Sequence, residues 1–322
     1  MIGGWRALAA VVFALALPMI ASAQAWPQRV VKVIVPFSAG GAADVVTRIV
    51  AGRMSENLGK NFVVENRTGA NGNLGTDAVA RAAPDGYTIL AGSPGTLAIN
   101  PHMFAKLPYN AETDFVMASH VATFPQILVI NPKIPATTLR DFIAFAKARP
   151  QMLTMGSSGN GSTGHLIASM FMHEAGITAV HVPFRGGGPA AQALAGGSVD
   201  FVVDGLPTFQ SFAGTGLVRF LAITAATRWP KLPEIPTVGE VIPNFDLSSW
   251  VVFAVPKGTD PAIVHAIAAE VNKALADEEV KRKLTEVGAM PAGGSPADAL
   301  RFQRAELAKW KTVVAVSGAK VE

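Results

Sequence analysis

Two kinds of apolar segment alternate along this chain, and this alternation constrains its fold more than any other feature. Short runs rich in β-branched residues, such as 30–35 and 199–203, predict buried strands. Other segments carry apolar residues at helical spacing, as Val46, Val50 and Met54 do. Strands that alternate with helices are typical of parallel βαβ units. The sequence therefore predicts an α/β fold.

The chain is long enough for two lobes, because its 322 residues are about twice the length of one typical domain. A long extended apolar stretch at 116–130, interrupted by Pro125, and a strand at 250–255 are candidate crossings. We expect residues 24–124 plus 250–322 to form lobe 1 and residues 125–249 to form lobe 2. Each lobe should contain a mostly parallel sheet, with a ligand cleft between the lobes.

The first 23 residues have the layout of a signal peptide. Arg6 precedes an unbroken apolar run of eleven residues, 7–17, which Pro18 ends before Ala21, Ser22 and Ala23. The run is shorter than the ~20 residues that a membrane span needs. We expect cleavage near Ala23 and export to the periplasm, and a retained N-terminal anchor is the alternative.

Composition excludes several classes of protein. A chain that is 50% apolar and 16% charged is not disordered. The net charge of +4 comes from scattered residues, so no nucleic-acid partner is expected. With no cysteine, the chain has no disulfide, iron–sulfur cluster, cysteine-ligated zinc or cysteine nucleophile.

Three loops built largely of small residues each lie between a predicted strand and a predicted helix, at 37–44, 157–163 and 184–189. The first N–H groups of a helix lack partners within the helix, and together with the helix dipole they favour an anion. Ligands of open α/β sheets bind at the carboxyl ends of the strands. These loops could therefore clamp one anion between the lobes, or they are ordinary tight turns.

Cofactor and metal motifs do not accompany these loops. Residues 159–164 match G-x-G-x-x-G, but 179–185 contain no acidic residue for a ribose, so a dinucleotide site is not expected. No phosphate-binding P-loop, H-E-x-x-H or G-x-S-x-G motif occurs, and the six histidines show no metal-ligand spacing. We expect no cofactor and no metal.

Four side chains near the loops each have two possible roles. His165 contacts the ligand or is structural, and Asp44 caps its helix or touches the ligand, with the cap favoured. Asp204, after a predicted strand, faces the cleft or caps a loop. Arg185, the one cation in the three loops, pairs with a ligand carboxylate or is solvated.

A catalytic alternative uses a serine nucleophile. Ser157, Ser158 or Ser162 lies close in sequence to His165, which suggests a secreted hydrolase. No nucleophile elbow or orienting acid accompanies these residues, so we expect a protein that is not an enzyme. A carboxylate sensor without transport is a further alternative.

Several segments resemble the Bug, or tripartite tricarboxylate transporter, solute-binding receptors, and the resemblance covers essentially the whole chain after residue 23. The segments are 33–44, 64–73, 83–88, 156–165, 181–186, 236–240 and 254–259. One departure is the pair Gly187-Gly188 before Pro189, which adds glycine where the family has less.

The resemblance implies a type II periplasmic binding fold that closes on a small carboxylate held by main-chain and hydroxyl groups. It also implies a two-component membrane permease as partner, and we expect a monomer. Dicarboxylates, tricarboxylates, acidic amino acids and aromatic acids all fit such a clamp. A Cβ at Gly40 is expected to fill the anion's place. The expected ligand-binding residues are Phe37, Ser38, Ala39, Gly40, Gly41, Asp44, Ser93, Ser157, Ser158, Gly159, Asn160, Gly161, Ser162, His165, Phe184, Gly186 and Asp204.

Overall fold

The computed structural model describes residues 26–317. The strands in this range are β1 Val31–Val35, β2 Phe62–Asn66, β3 Thr88–Gly92, β4 Phe115–Ile130, β5 Thr154–Ser157, β6 Val180–Pro183, β7 Phe201–Gly205, β8 Arg219–Ile223, β9 Ser248–Pro256 and β10 Met290–Gly293. The α-helices in this range are α1 Ala42–Leu58, α2 Asn73–Ala80, α3 Asn100–Met103, α4 Leu139–Lys147, α5 Thr163–Ala175, α6 Gly187–Ala195, α7 Leu206–Phe209, α8 Pro261–Ala276, α9 Glu278–Glu286 and α10 Pro296–Ser317.

The strands form one curled mixed sheet in the order β2-β1-β3-β9-β4-β7-β5-β6, with β8 and β10 also paired to β4. Parallel pairs lie towards its two ends: β2-β1-β3 at one and β7-β5-β6 at the other. The long strand β4 joins them. Its residues 115–125 pair with β9, and its residues 126–130 pair with β7 and β8. The two parallel groups therefore meet around the middle of β4.

Local sequence explains where the elements begin. Thr138 and Asp141 form the predicted capping box of α4, and Asp260 caps α8 ahead of Pro261. Helix α6 starts two residues before the predicted Pro189, because the backbone is already helical at Gly187. The predicted pattern also missed α9 and β10, which are short and rich in polar or small residues.

Buried apolar residues line both faces of the sheet. Val33, Val35 and Ile89 are completely buried, as parallel strands covered on both faces require. Helix α10 packs against β4 and α5, and its Glu306 accepts hydrogen bonds from the indole nitrogens of Trp250 (2.7 Å) and Trp310 (2.9 Å). The last helix therefore contacts the joining strand β4, Trp250 of β9 and helix α5.

The predicted signal peptide and its cleavage position lie outside the described residues. Within residues 26–317, no helix combines the length and the hydropathy that crossing a bilayer demands.

Candidate functional site

A cavity of about 50 Å³ lies between the two parallel groups where several strands end. Its lining comes from the segments after β1, β3, β5 and β6, from the end of β7, and from β4 and β9, which cross between the groups. The lining residues are Phe37, Gly41, Ala42, Ala43, Asp44, Ser93, Phe124, Gln126, Ser158, Ser162, Thr163, Gly164, Gly187, Asp204 and Ser249. This is where ligands bind in open α/β sheets.

Three helices begin at the wall of this cavity. Ala42 and Ala43 are the first residues of α1, Thr163 and Gly164 those of α5, and Gly187 that of α6. The N-caps of α1 and α6 are glycines, which offer no side-chain acceptor to the first N–H groups. Each helix start carries about half a positive charge, so the cavity favours an anion without any cationic side chain.

Asp44, at the start of α1, accepts hydrogen bonds from residues near it in the same part of the fold. Its carboxylate accepts hydrogen bonds from the Gly40 amide (3.0 Å), from Asn66 Nδ2 (2.9 Å) and from Arg48 Nε (3.0 Å). The Asp44 side chain is buried, and the Arg48 guanidinium neutralises its charge. The favoured role of a helix cap is wrong, because Asp44 accepts from the Gly40 amide ahead of the helix and no side chain caps the start of α1.

Asp204, at the end of β7, is buried in the cavity wall without a cation. Its Oδ1 accepts from the Gly205 amide (2.7 Å) and from Thr208 Oγ1 (3.2 Å). Its Oδ2 is buried and has no full hydrogen bond among the described residues, although the nearby Ser158 hydroxyl acts to lower the pKa of the carboxyl. Burial raises the pKa of this carboxyl.

Thr208 links the two sides of the cavity. Its Oγ1 donates to Asp204 and accepts from the Ala42 amide (3.0 Å) at the start of α1. One hydroxyl therefore satisfies a helix-start N–H on one side and orients the buried aspartate on the other.

Glycines allow the loops on the two sides to touch. A Cβ at Gly186 would lie 1.9 Å from Ser38 Oγ, and a Cβ at Gly188 would lie 3.0 Å from the Ala39 carbonyl oxygen. A Cβ at Gly187 would lie 3.0 Å from Asp204 Oδ1. The extra glycines before Pro189 thus have a steric reason, since they let α6 approach both Asp204 and the 37–41 loop.

A wider hollow opens beside the cavity, and Phe37 and Ser158 line both. Its other walls come from residues 68–72, 159–160 and 183–185. Arg185 is exposed at this outer hollow and does not line the inner cavity. Among the described lining residues, the inner cavity therefore has only aspartates as charged groups.

Two histidines support the 157–163 loop from behind. His165 Nδ1 accepts from the Gly161 amide (3.0 Å), and its ring stacks on His181 with centroids 4.0 Å apart. His181 Nε2 lies 2.6 Å from Ser157 Oγ. Burial, with a smaller effect of His181, lowers the pKa of His165 to about 4, so both rings are neutral at pH 7.

The geometry does not support the hydrolase alternative. Ser157 pairs with His181 and not with His165, and its side chain is buried away from the cavity. Ser162 accepts from the His165 main-chain N–H as a helix cap. Within residues 26–317, no carboxylate hydrogen-bonds to either histidine ring, so neither is oriented as a general base.

The predicted site residues divide into three groups. Phe37, Gly41, Asp44, Ser93, Ser158, Ser162 and Asp204 line the inner cavity. Gly159, Asn160 and Phe184 line the outer hollow. Ser38, Ala39, Gly40, Ser157, Gly161, His165 and Gly186 line neither, and they support or close the loops. A Cβ at Gly40 would meet no protein atom within 4 Å, so the expected block of the anion by a side chain at Gly40 stays a prediction.

Several residues at or beside the cavity were not among the expected ligand-binding residues. Gln126 and Ser249 sit where β4 and β9 cross, and Thr208 and Gly187 flank Asp204. The crossing itself was predicted at Pro125, so the residue after it was a findable candidate. Thr208 had no signal, because its role depends on contact with Ala42, 166 residues earlier.

Metal ligation is not a feature of the described residues. Across 26–317, no group of three or more His, Asp or Glu side chains is arranged to hold an ion.

Known proteins resemble this chain over most of its length. The family model described as TctC, tripartite tricarboxylate transporter family receptor, matches residues 46–318. Protein BugT of Bordetella pertussis is 36% identical over 303 residues, which cover 94% of this chain and 93% of BugT.

Solved structures extend the likeness to the fold. R. palustris Rpa4515 with adipate has a TM-score of 0.90 and 38% identity, covering 92% of this chain and 100% of Rpa4515. MatC from Rhodopseudomonas palustris with bound malate has a TM-score of 0.85 and 32% identity, covering 90% of this chain and 100% of MatC. These likenesses confirm the expected two-lobed type II fold, and family members are periplasmic binding proteins. By sequence, fold and cavity, this protein belongs to the tripartite tricarboxylate transporter receptor family.

Proposed function

We propose that this protein captures a small carboxylate in the periplasm and delivers it to a tripartite tricarboxylate-type membrane permease. The observation that carries the proposal is the meeting of three helix N-termini at one cavity whose described lining has no cationic side chain. Such a cavity attracts an anion and fixes it by main-chain donors.

A small carboxylate is the ligand class that best fits. Two relatives were solved with small dicarboxylates, one with adipate and one with malate. Hydroxyl groups of Ser93, Ser158 and Ser249 and the Gln126 amide supply further neutral contacts. We infer that the carboxylate lies at the helix starts and that these groups hold the rest of the ligand.

Binding works by closure of two lobes. We assign residues 24–124 plus 250–322 to lobe 1 and residues 125–249 to lobe 2, since β4 changes partners at residues 125–126. The contacts of Ser38 with Gly186 and of Ala39 with Gly188 then belong to the closed state. A ligand that bridges α1 with α5 and α6 stabilises that state over the open one.

We further infer that the chain is a receptor and not an enzyme, and that it works as a monomer. The histidine–serine pair behind the site lacks an orienting acid in the described chain, which supports the first point. Export by cleavage near Ala23 brings the protein to the compartment where its permease partner is reached.

A thermal-shift screen against dicarboxylates tests the proposal. A ligand at 100 times its Kd raises the free energy of unfolding by about 2.7 kcal/mol, and at least one acid should give such a shift. Gly187→Val should abolish that shift, because its side chain enters the cavity at the start of α6. Gly196→Ala, at the other end of α6, is the matched control and should keep it. If no carboxylate stabilises the wild-type protein, or if Gly187→Val binds normally, the proposal is wrong.

A further inference from the structure

The two oxygens of Asp204 have different hydrogen-bond environments. Buried polar atoms in folded proteins are almost always hydrogen-bonded, and each oxygen of a buried ionised carboxylate needs a hydrogen-bond donor. Asp204 Oδ1 has two donors, whereas the buried Oδ2 has none among the described residues. A protonated acid explains this asymmetry, because one oxygen then accepts as a carbonyl and the other carries an O–H that is free to donate.

No cation near Asp204 favours its ionised form. The groups that line the cavity around it are neutral, apart from Asp44 at the start of α1, and Arg48 already neutralises that carboxylate. In the first turn of α5, His165 is held neutral by burial, and His181 behind it has its pKa lowered in the same way. Arg185 is exposed in the outer hollow. A ligand carboxylate at the helix starts then adds a second negative charge to the same cavity.

Two carboxylates in one desolvated site do not both remain ionised, since like charges at short range raise the pKa of one of them. The ligand carboxylate can face the N–H groups of three helix starts. Asp204 has one amide, the Thr208 hydroxyl and the nearby Ser158 hydroxyl. The proton is therefore held by Asp204 and not by the ligand.

We propose that Asp204 is protonated in the complex and that its Oδ2–H donates a hydrogen bond to the bound ligand, so that the site selects plain carboxylates over amino acids. The ligand stays ionised, and the proton comes from water on binding wherever Asp204 is ionised in the free protein. The N–H donors of an α-ammonium group would face the O–H donor of Asp204, with no acceptor between them. Its positive charge would also lie near the positive ends of three helices. This inference rests on the proposed function and narrows its substrate class.

Calorimetry with matched ligand pairs tests the selection. The pairs are succinate with aspartate, glutarate with glutamate, and adipate with 2-aminoadipate, which differ only in the amino group. We expect the plain acid of whichever pair fits the cavity to bind at least tenfold more tightly. Tighter binding of the amino acid overturns the proposal, because that result requires an ionised Asp204.

Two substitutions test the donor. Asp204→Asn keeps an N–H donor of similar shape and should bind the plain acid within about threefold of wild type, whereas Asp204→Ala should bind at least tenfold more weakly. Circular dichroism and unfolding of the free variants check that both fold. If Asn loses binding as fully as Ala does while folding normally, Asp204 does not act as a donor.

The pH dependence of ligand affinity distinguishes a proton-donating role of Asp204 from a purely structural role, which would not change that dependence. Wild-type affinity should fall with rising pH by up to tenfold per unit over the pH range in which the free protein has lost the proton that the complex still holds. The affinity of Asp204→Asn should stay flat over the same range. Identical profiles for the two proteins contradict this inference alone, whereas a wild-type protein that binds no member of any pair contradicts the proposed function as well.

Discussion

The two faces of the cleft treat a buried aspartate in opposite ways. On one face, Asp44 has an arginine, an asparagine amide and a main-chain amide around its carboxylate. On the other face, Asp204 is about as deeply buried but has no cation and one oxygen without a partner among the described residues. The first arrangement fixes the loop before α1. The second leaves bonding capacity directed at whatever occupies the cavity.

This difference in hydrogen bonding distinguishes residues that hold the site in shape from residues that are available to contact the ligand. Buried polar groups that are fully satisfied contribute to one ordered structure, and unsatisfied ones mark places where function overrides stability. The same contrast applies to the helix starts. Ser162 caps α5 with its own side chain, whereas Gly41 leaves the start of α1 to Thr208 and the ligand.

The largest expected effect tests this contrast by stability. Asp44→Ala leaves the three donors around Asp44 without their acceptor and should lower the free energy of unfolding by about 2–3 kcal/mol. Asp204→Asn should change it by less than about 0.5 kcal/mol, because the wild-type residue already lacks a charge partner. Urea unfolding of the ligand-free proteins measures both. Equal losses would show that the two aspartates have the same structural role.

Closure of the cleft gives the next effect. Gly188→Val puts a side chain against the Ala39 carbonyl oxygen across the cleft, so the closed state becomes less populated. We expect the Kd of the ligand to rise at least about tenfold while the stability of the free protein is unchanged. Gly52→Ala, on an exposed face of α1 with open space around its Cβ, is the control. Normal affinity of the Val variant would mean that the loops do not close over the ligand.

Thr208→Val measures the link between the two faces. Valine has nearly the shape of threonine but neither donates to Asp204 nor accepts from the Ala42 amide. Loss of about 1 kcal/mol of hydrogen bonding corresponds to roughly fivefold weaker binding. Thr215→Val, on an exposed turn of the same lobe, should bind normally. If the Thr208→Val variant keeps full affinity, the hydrogen bonds through Thr208 between Asp204 and the start of α1 do not contribute to ligand binding.

Local signals in the sequence were sufficient for much of the fold. The strand preceding Pro36 is buried and parallel as predicted, and the Thr138 capping box forms because both partners lie within three residues. Helix α9 was missed because its first turn carries two glutamates and only Val280 and Leu284 are buried along it. A helix or strand with only one or two buried residues has too weak a hydrophobic periodicity to be predicted from the sequence.

The site was predictable where it follows strand ends and unpredictable where distant segments meet. The loops at 37–44 and 157–163 contribute lining residues as expected, because their positions follow from the βα order. Whether Asp44 or Asp204 is the free carboxyl depends on Arg48, on Asn66 and on the packing of Gly187. Whether a carboxylate has all its hydrogen-bond donors depends on three-dimensional contacts, so the sequence does not distinguish these two aspartates.

The smallest expected effect compares the two lobes by their histidines. His165 and His120 each have a pKa lowered to about 4 by burial, below the 6.5 of the unfolded chain. The unfolded chain then binds more protons below pH 6.5, so the stabilising effect is complete above that pH and is lost as the pH falls from 6.5 towards 4. His165→Gln or His120→Gln should each reduce the loss of stability between pH 7 and pH 6 by up to about 1 kcal/mol.

Only protonation of His165 removes the acceptor of the Gly161 amide beside the cavity. Ligand affinity near pH 4.5 should therefore be weakened in the wild type and in His120→Gln, and it should be less sensitive to acid in His165→Gln. Equal acid sensitivity of binding in all three proteins would mean that the 157–163 loop does not depend on the neutral ring.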